Sequence, residues 1–415
     1  MAKAYRHVIL FEDDRVSNLY PLTLTRPAWE LRCGKGTLLD RVRTMFPEAE
    51  ISVWVRDYLA ENVAERFAGL PINELPKKDG VLINSRLLDL SLLACLPDPG
   101  DALVLDGIPV AAEYRLTDIS PWYQGGGTAA VLDGLKYGGD APRSSIVEYP
   151  WQLTRQNAAL LIADLQEASK PRDFPGEVDR LAVLRGEDQI SAGAGTTIAP
   201  FAVIDGTTGP IVMGRNVAVE SHALIQGPAF IGDGSVIRSH ARIYGNVSFG
   251  TVCKVGGEVH STIIHDFTNK QHDGFLGNSI VGSWCNLGAG TTISNLKNNY
   301  SQVKVQVGDR LIDTGFLFVG SVIGDHSTTA IGTILNTGTV IGVGCSLFGA
   351  GFPPRFVPSF RWGGAGSLKR QSLDKAVSAM EPMMARRQQV ISETYLRVLK
   401  QIYRMTEHDE PLGNA

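Results

Sequence analysis

The sequence predicts a left-handed parallel β-helix of hexapeptide coils, preceded by an α/β domain and followed by a helix. Three observations predict it. Of 45 glycines, 28 fall between Gly186 and Gly351, while the first 185 residues hold 13 and the remainder four. From Met213 an apolar residue recurs at every sixth position, through Val219, Ile225, Ile231, Ile237, Ile243, Phe249 and Val255. Ahead of this stretch, short apolar runs alternate with helix-like segments.

A period of six belongs to neither an α-helix nor a simple strand. It suits a triangular coil of three short strands, in which each aliphatic residue points to the axis and glycine or another small residue turns the corner. The register returns at Phe275, Val281, Leu287 and Ile293, then at Leu317, Ile323, Thr329, Leu335, Ile341 and Leu347. Two polar stretches, 256–274 and 294–316, interrupt it, and interruptions of a solenoid are where binding chemistry is expected.

In the first 170 residues HVILF, ISVWV, GVLIN and DALVLDG read as strands, and LLDRVRTMF and YLAENVAERF as helices. That alternation predicts an α/β domain with a largely parallel sheet. WQLTRQNAALLIADLQEASK reads as a connecting helix that Pro171 and Pro175 break. The expected organisation is therefore an α/β domain over 1–170, a linker over 171–180 and the β-helix over 181–351. An extended crossing and one long amphipathic helix, 372–405, with a kink at Pro382, fill 352–415.

Composition narrows the function classes. With 39 Lys+Arg against 43 Asp+Glu the formal charge is −4, so no overall basic field attracts nucleic acid or anionic lipid. The start lacks a signal-peptide core, and no stretch approaches the ~18 apolar residues of a membrane span, so a cytoplasmic location is expected. Five scattered cysteines without a C-x-x-C pair argue against a disulfide framework or a thiolate zinc site.

The stretch HDGFLGNSIVGSWCNLGAGTTISNLKNNYSQVKV, His272 to Val305, together with FVGS, Phe318 to Ser321, and YPLTLTRPAWEL, Tyr20 to Leu31, carries a family resemblance. The chain resembles the sugar-nucleotide pyrophosphorylases, most of all the bifunctional uridyltransferase/acetyltransferases that make UDP-N-acetylglucosamine, and within them an alternative bacterial branch. The resemblance implies a nucleotidyltransferase-like first domain, an acetyl-CoA-dependent acyltransferase β-helix and a homotrimer. Its partners would be a sugar phosphate and a nucleoside triphosphate.

For acyl transfer the resemblance assigns His272, before FLG, as the base that takes the amine proton, a task that suits a histidine near neutral pH. Glu258 or Asp266 would orient the ring, and Asn295 would face the sugar phosphate. Ala289, in NLGAGT, and Ser321 match coenzyme contacts, and Lys369 and Arg370 would bind its phosphates. Phe275, Leu296, His260 and Tyr244 depart from the residues the family places around its acceptor.

In the first domain the loop FEDDRVSN has no glycine, and RP is followed by Ala28 where a lysine is usual. Arg26, Asn84 and Arg86 are the expected sugar-phosphate or nucleotide contacts, with Asp106 holding Mg²⁺. The cluster Glu12, Asp13 and Asp14 reads as a polar loop or helix cap, and GKGT, from Gly34, as a turn. Two other classes stand beside the transferase. One is a zinc site of gamma carbonic anhydrase type on His222, His260 and His265, and the other a non-catalytic scaffold that binds sugar nucleotides.

Overall fold

The computed structural model describes residues 5–166 and 176–412. The linker prolines Pro171 and Pro175 lie outside the described residues.

Six strands form the first sheet: β1 (His7–Phe11), β2 (Glu50–Trp54), β3 (Gly80–Asn84), β4 (Asp101–Leu105), β5 (Ile108–Tyr114) and β6 (Lys136–Asp140). Their order is β2-β1-β3-β5-β4-β6, and only β5 runs antiparallel to its neighbours. The sheet centre is fully buried because HVILF and GVLIN are apolar on both faces, as a covered parallel strand requires. Helices α1 (Leu38–Met45), α2 (Asp57–Arg66), α3 (Leu116–Gly134) and α4 (Pro150–Gln166) accompany it. Thr37 and Asp40 start α1 with a capping box, and α3 is kinked where Gly126 and Gly127 leave helical angles.

The β-helix consists of three sheets, of eleven, six and nine strands, parallel throughout except for the edge strand Ser367–Arg370, and of a further parallel pair, Thr292–Ile293 with Ile334–Leu335. Sixteen of the eighteen period-six positions are buried along its axis. Phe275 and Leu317 are not: Leu276 turns inward in place of the first, and Leu317 is 42% exposed. Both lie where the register resumes after a polar stretch.

The stretch 256–274 does not interrupt the coils. Its inward residues are Val259, Ile264 and Lys270, with Leu276 next, and strands Glu258–His260, Ile263–Ile264 and Asn269–Lys270 pair with the coils on either side. Shortened corners hid the repeat. The stretch 294–316 does leave the coil, forming a hairpin of Lys304–Val307 and Arg310–Asp313. Its Val303, Val305 and Val307 are buried in one cluster with Val16, Leu19 and Leu22 of the first domain and Val322 and Val340 of the β-helix. The expected binding excursion thus joins the two domains.

Phe356–Val357 and Arg361–Gly364 add a further coil where an extended crossing is expected. The long terminal helix is two helices, α5 (Leu373–Ala385) and α6 (Glu393–Met405). Pro382 removes an N–H in the last turn of α5, and Ser392 restarts the helix by capping α6 through the Tyr395 N–H. Helix α6 packs on α2, tying the end of the chain back to the first domain. Among the described residues no helix is long and apolar enough to cross a membrane.

Candidate functional site

One face of the β-helix gathers the residues expected to act on the acyl acceptor. Glu258 lies in register with Phe275, and His260 with Gly277. A Cβ on Gly277 would stand 2.7 Å from Asn295 Nδ2 and 2.5 Å from the Phe275 ring, so any larger residue here would displace those two side chains. Asn295 Nδ2 donates to Asn278 Oδ1 at 2.8 Å. Burial moves the half-buried His260 imidazole below its ordinary range, against the nearby Glu258 carboxylate.

His272 is exposed on the corner loop that leads into this face. The loop is pinned from two sides. Lys270, at an inward position in register with Val255, sends its Nζ to the carbonyls of Gly256 at 3.1 Å and His272 at 2.5 Å. Burial pulls that ammonium down to about 8. On the other side the Gly290 N–H donates to the Asp273 carbonyl at 3.0 Å. The expected Glu258 to His272 contact is not formed, because the Glu258 carboxylate pairs with Arg242 at 3.5 Å.

A cavity of about 600 Å³ lies between the last coils and α5, lined by Thr328, Ser346, Trp362, Lys369, Lys375 and Met380 among others, and by no carboxylate among the described residues. Ser372 precedes α5 without making a side-chain cap bond, so the first-turn N–H groups add a positive dipole end to two exposed lysines. Arg370 serves α6 as well: Nη1 donates to Glu407 at 3.0 Å and Nη2 to the Tyr403 carbonyl at 2.5 Å, with the guanidinium 3.8 Å from the Tyr403 ring centroid. Ala289 turns a neighbouring corner, its carbonyl accepting from Gly332 N–H at 2.7 Å. Ser321 does not share this cavity. It is fully buried, with its N–H on Ser279 Oγ at 2.9 Å, as part of a coil corner. Lys375 and Trp362 escaped the motif reading, although cations flanking a serine ahead of a helix, KRQSLDK, are a recognisable anion-site signal.

In the first domain Asn84 and Arg86 come together, but around Asp13 and away from solvent. Asn84 Nδ2 reaches Asp13 Oδ2 at 2.6 Å, and Arg86 holds the same carboxylate at 2.5 and 3.1 Å. Both residues are buried, so they brace the strand ends and are not open ligand contacts. Asp13 caps the turn through Arg15 N–H, and Glu12 pairs with Arg56, so these two members of the acidic cluster are structural. GKGT is a turn too, with Gly34 N–H on Asn157 Oδ1 at 2.7 Å.

Asp106 lies at the carboxyl end of β4 between Arg143, at 2.6 Å, and Arg15, at 3.5 Å. Two guanidiniums around it do not fit the oxygen cage that Mg²⁺ requires, and no metal-holding group of three or more His, Cys, Asp or Glu exists among the described residues. Arg26 departs furthest from expectation. It leaves the first domain to pair with the buried Asp325, with Ser283 Oγ at 3.1 Å and His265 Nδ1 at 3.2 Å. The zinc histidines are likewise dispersed. His222 stacks between Phe201 and His240, His260 sits in register with Gly277, and His265 belongs to the Arg26 network.

Residues 8–173 match the sugar nucleotidyl transferase family model. A bifunctional sugar-1-phosphate nucleotidylyltransferase/acetyltransferase of Sulfurisphaera tokodaii is 34% identical over 85 residues, 20% of this chain and 21% of that protein. The bifunctional protein GlmU of Cyanothece sp. is 30% identical over 157 residues, 37% of this chain and 32% of its own. The uncharacterized acetyltransferase YaiX of Escherichia coli O6:K15:H31 is 34% identical over 146 residues, 35% of this chain and 64% of its own. The chain thus spans about a fifth and a third of the first two relatives. The chain joins an α/β domain, whose residues 8–173 match the sugar nucleotidyl transferase family model, to a β-helix in one polypeptide, and it is similar over part of its length to the bifunctional GlmU proteins.

Proposed function

We propose that this protein is a sugar-phosphate transferase whose β-helix moves an acyl group from a coenzyme A thioester, acetyl-CoA by resemblance, to the amine of an amino-sugar phosphate. It acts in the cytoplasm as a homotrimer, whose closed symmetry lets flat coil faces pack around one axis. The observation that carries the reading is the carboxylate-free cationic cavity of Lys369 and Lys375. It shares a sheet with the strand ahead of His272, four steps along from Asn269–Lys270 to Arg361–Gly364. At ~4.8 Å per step this is roughly 19 Å, a distance an extended thioester arm can bridge.

In this reading the amine nitrogen attacks the thioester carbonyl, and the C–N bond forms as His272 removes the amine proton. The tetrahedral intermediate then expels the thiolate, which takes a proton as the C–S bond breaks. A backbone N–H beside the thioester stabilises the oxyanion, Asn295 holds the acceptor, and Lys270 fixes the His272 loop. The ion-paired Asp106 favours binding of a sugar phosphate or nucleotide by the first domain over nucleotidyl transfer, so no step passes through Mg²⁺.

The test is thiol release from acetyl-CoA across a panel of amino-sugar phosphates and nucleotide amino sugars, with wild type and His272→Asn. Acceptor-dependent release that fails in the variant supports the reading. Absence of release with every acceptor, in folded trimeric protein, contradicts it.

A further inference from the structure

The loop after β1 lacks the glycines that usually cradle a phosphate, yet the carboxyl ends of β1, β4 and β6 enclose a cavity of about 450 Å³. Ligands of an open α/β sheet bind at such strand ends. Three arginines from three segments line it: Arg15 after β1, Arg143 after β6, and Arg310 from the tip of the β-helix hairpin. We infer that this cavity is a phosphoryl-binding site shared between the domains, and that Arg310 of the β-helix completes it.

The three arginines are not equivalent. Arg15 pairs with Glu148 at 2.9 Å and Arg143 with Asp106 at 2.6 Å, each carboxylate lying within 4 Å of both guanidiniums. Asp14 also lines the cavity. Arg310 is exposed, and its guanidinium donates to the neutral Asn18 Oδ1 at 2.8 Å. Its charge is therefore uncompensated by a carboxylate among the described ion pairs. A guanidinium fork matches phosphoryl oxygens, and the 66% exposed Arg143 side chain is free to exchange Asp106 for a ligand.

The hairpin is built to hold Arg310 in place. Gly308, with φ of 58°, forms its two-residue turn with Asp309. Its valines anchor it in the interdomain cluster, and Gln306 Nε2 donates to the Glu410 carbonyl at 2.9 Å. At its other end the excursion begins beside Asn295, so one segment touches both candidate sites.

This inference rests on the proposed role of the first domain as a binder of phosphorylated ligands. Calorimetric titration of the full chain with inorganic pyrophosphate and with glucose 1-phosphate tests it. Wild type is expected to bind at least one of the two probes, Arg310→Gln and Arg143→Gln each to weaken that binding tenfold or more, and Arg310→Lys to retain part of it. Lys304→Gln, on the same hairpin but outside the cavity, should bind as wild type and controls for disturbance of the hairpin. Wild-type affinity in Arg310→Gln alongside a loss in Arg143→Gln would overturn the shared site while leaving a phosphoryl site within the first domain. Absence of binding by wild type to both probes would overturn the inference together with the binding role of that domain. Neither outcome touches the acyl-transfer assay.

Discussion

Arg26, in the RP turn of the first domain, forms a buried ion pair with Asp325 on a β-helix coil 299 residues later. Thr25 Oγ1 donates to the same carboxylate at 2.7 Å, and His326 beside it meets Tyr395 of α6 at 2.9 Å. Three parts of the chain thus meet in one polar network. Burial alone would favour the neutral forms, but the surrounding charges and hydrogen bonds, the partner's foremost, together outweigh it: Arg26 is held above its ordinary range and Asp325 below.

Removing one partner leaves a buried charge unpaired. Arg26→Met should therefore destabilise the protein by about 3–5 kcal/mol, whereas Arg26→Met combined with Asp325→Leu should recover much of that loss. Urea unfolding of both single variants and the double variant measures the coupling. Additive losses would show that the pair does not join the domains.

The same network sets an acid response. Burial drives the His326 imidazole from 6.5 down to about 4, against the pull of Asp325 and with Arg26 adding to the effect. Between those values the unfolded chain binds the proton and the folded one does not, so stability falls as pH drops from 6.5 towards 4. The full shift corresponds to about 3 kcal/mol. The buried His265, lowered first by burial and then by Arg26, acts in the same direction. Unfolding midpoints at pH 7, 5.5 and 4.5 should decline more steeply in wild type than in His326→Gln, and parallel profiles would refute this.

Lys270 offers a test of the His272 loop. Lys270→Met keeps the inward position apolar but releases the Gly256 and His272 carbonyls. Acyl transfer should fall roughly tenfold through misplacement of the loop, while the fold gains or loses little. His272→Asn should cost roughly 10²–10⁴, the worth of a positioned general base. Equal rates in all three proteins would remove His272 from the mechanism.

The coils were legible because each inward position asks for the same kind of residue, so a period of six survives without knowledge of any partner. The repeat became invisible at Lys270, where a charged residue fills an axial position only because two corner carbonyls receive its ammonium. The hairpin was legible as local structure, since KVQV and RLID flank a Gly-Asp turn, but not its destination against Val16 and Leu19. Motif reading found Arg26, Asn84 and Arg86 yet misjudged their surroundings. Asp13 and Asp325 neutralise them, and those pairings depend on tertiary contacts that local spacing does not encode.

The central claim, that the β-helix uses a coenzyme A thioester, is tested most directly by calorimetric binding of acetyl-CoA to wild type and to Lys369→Ala/Lys375→Ala. Micromolar to submillimolar binding that the double variant weakens at least tenfold, about 1.4 kcal/mol or more, is the expected result. Dephospho or shortened donors lacking the nucleotide phosphates should bind wild type as poorly as acetyl-CoA binds the variant. Absence of acetyl-CoA binding by folded wild type, or identical affinity in the double variant, would contradict the account.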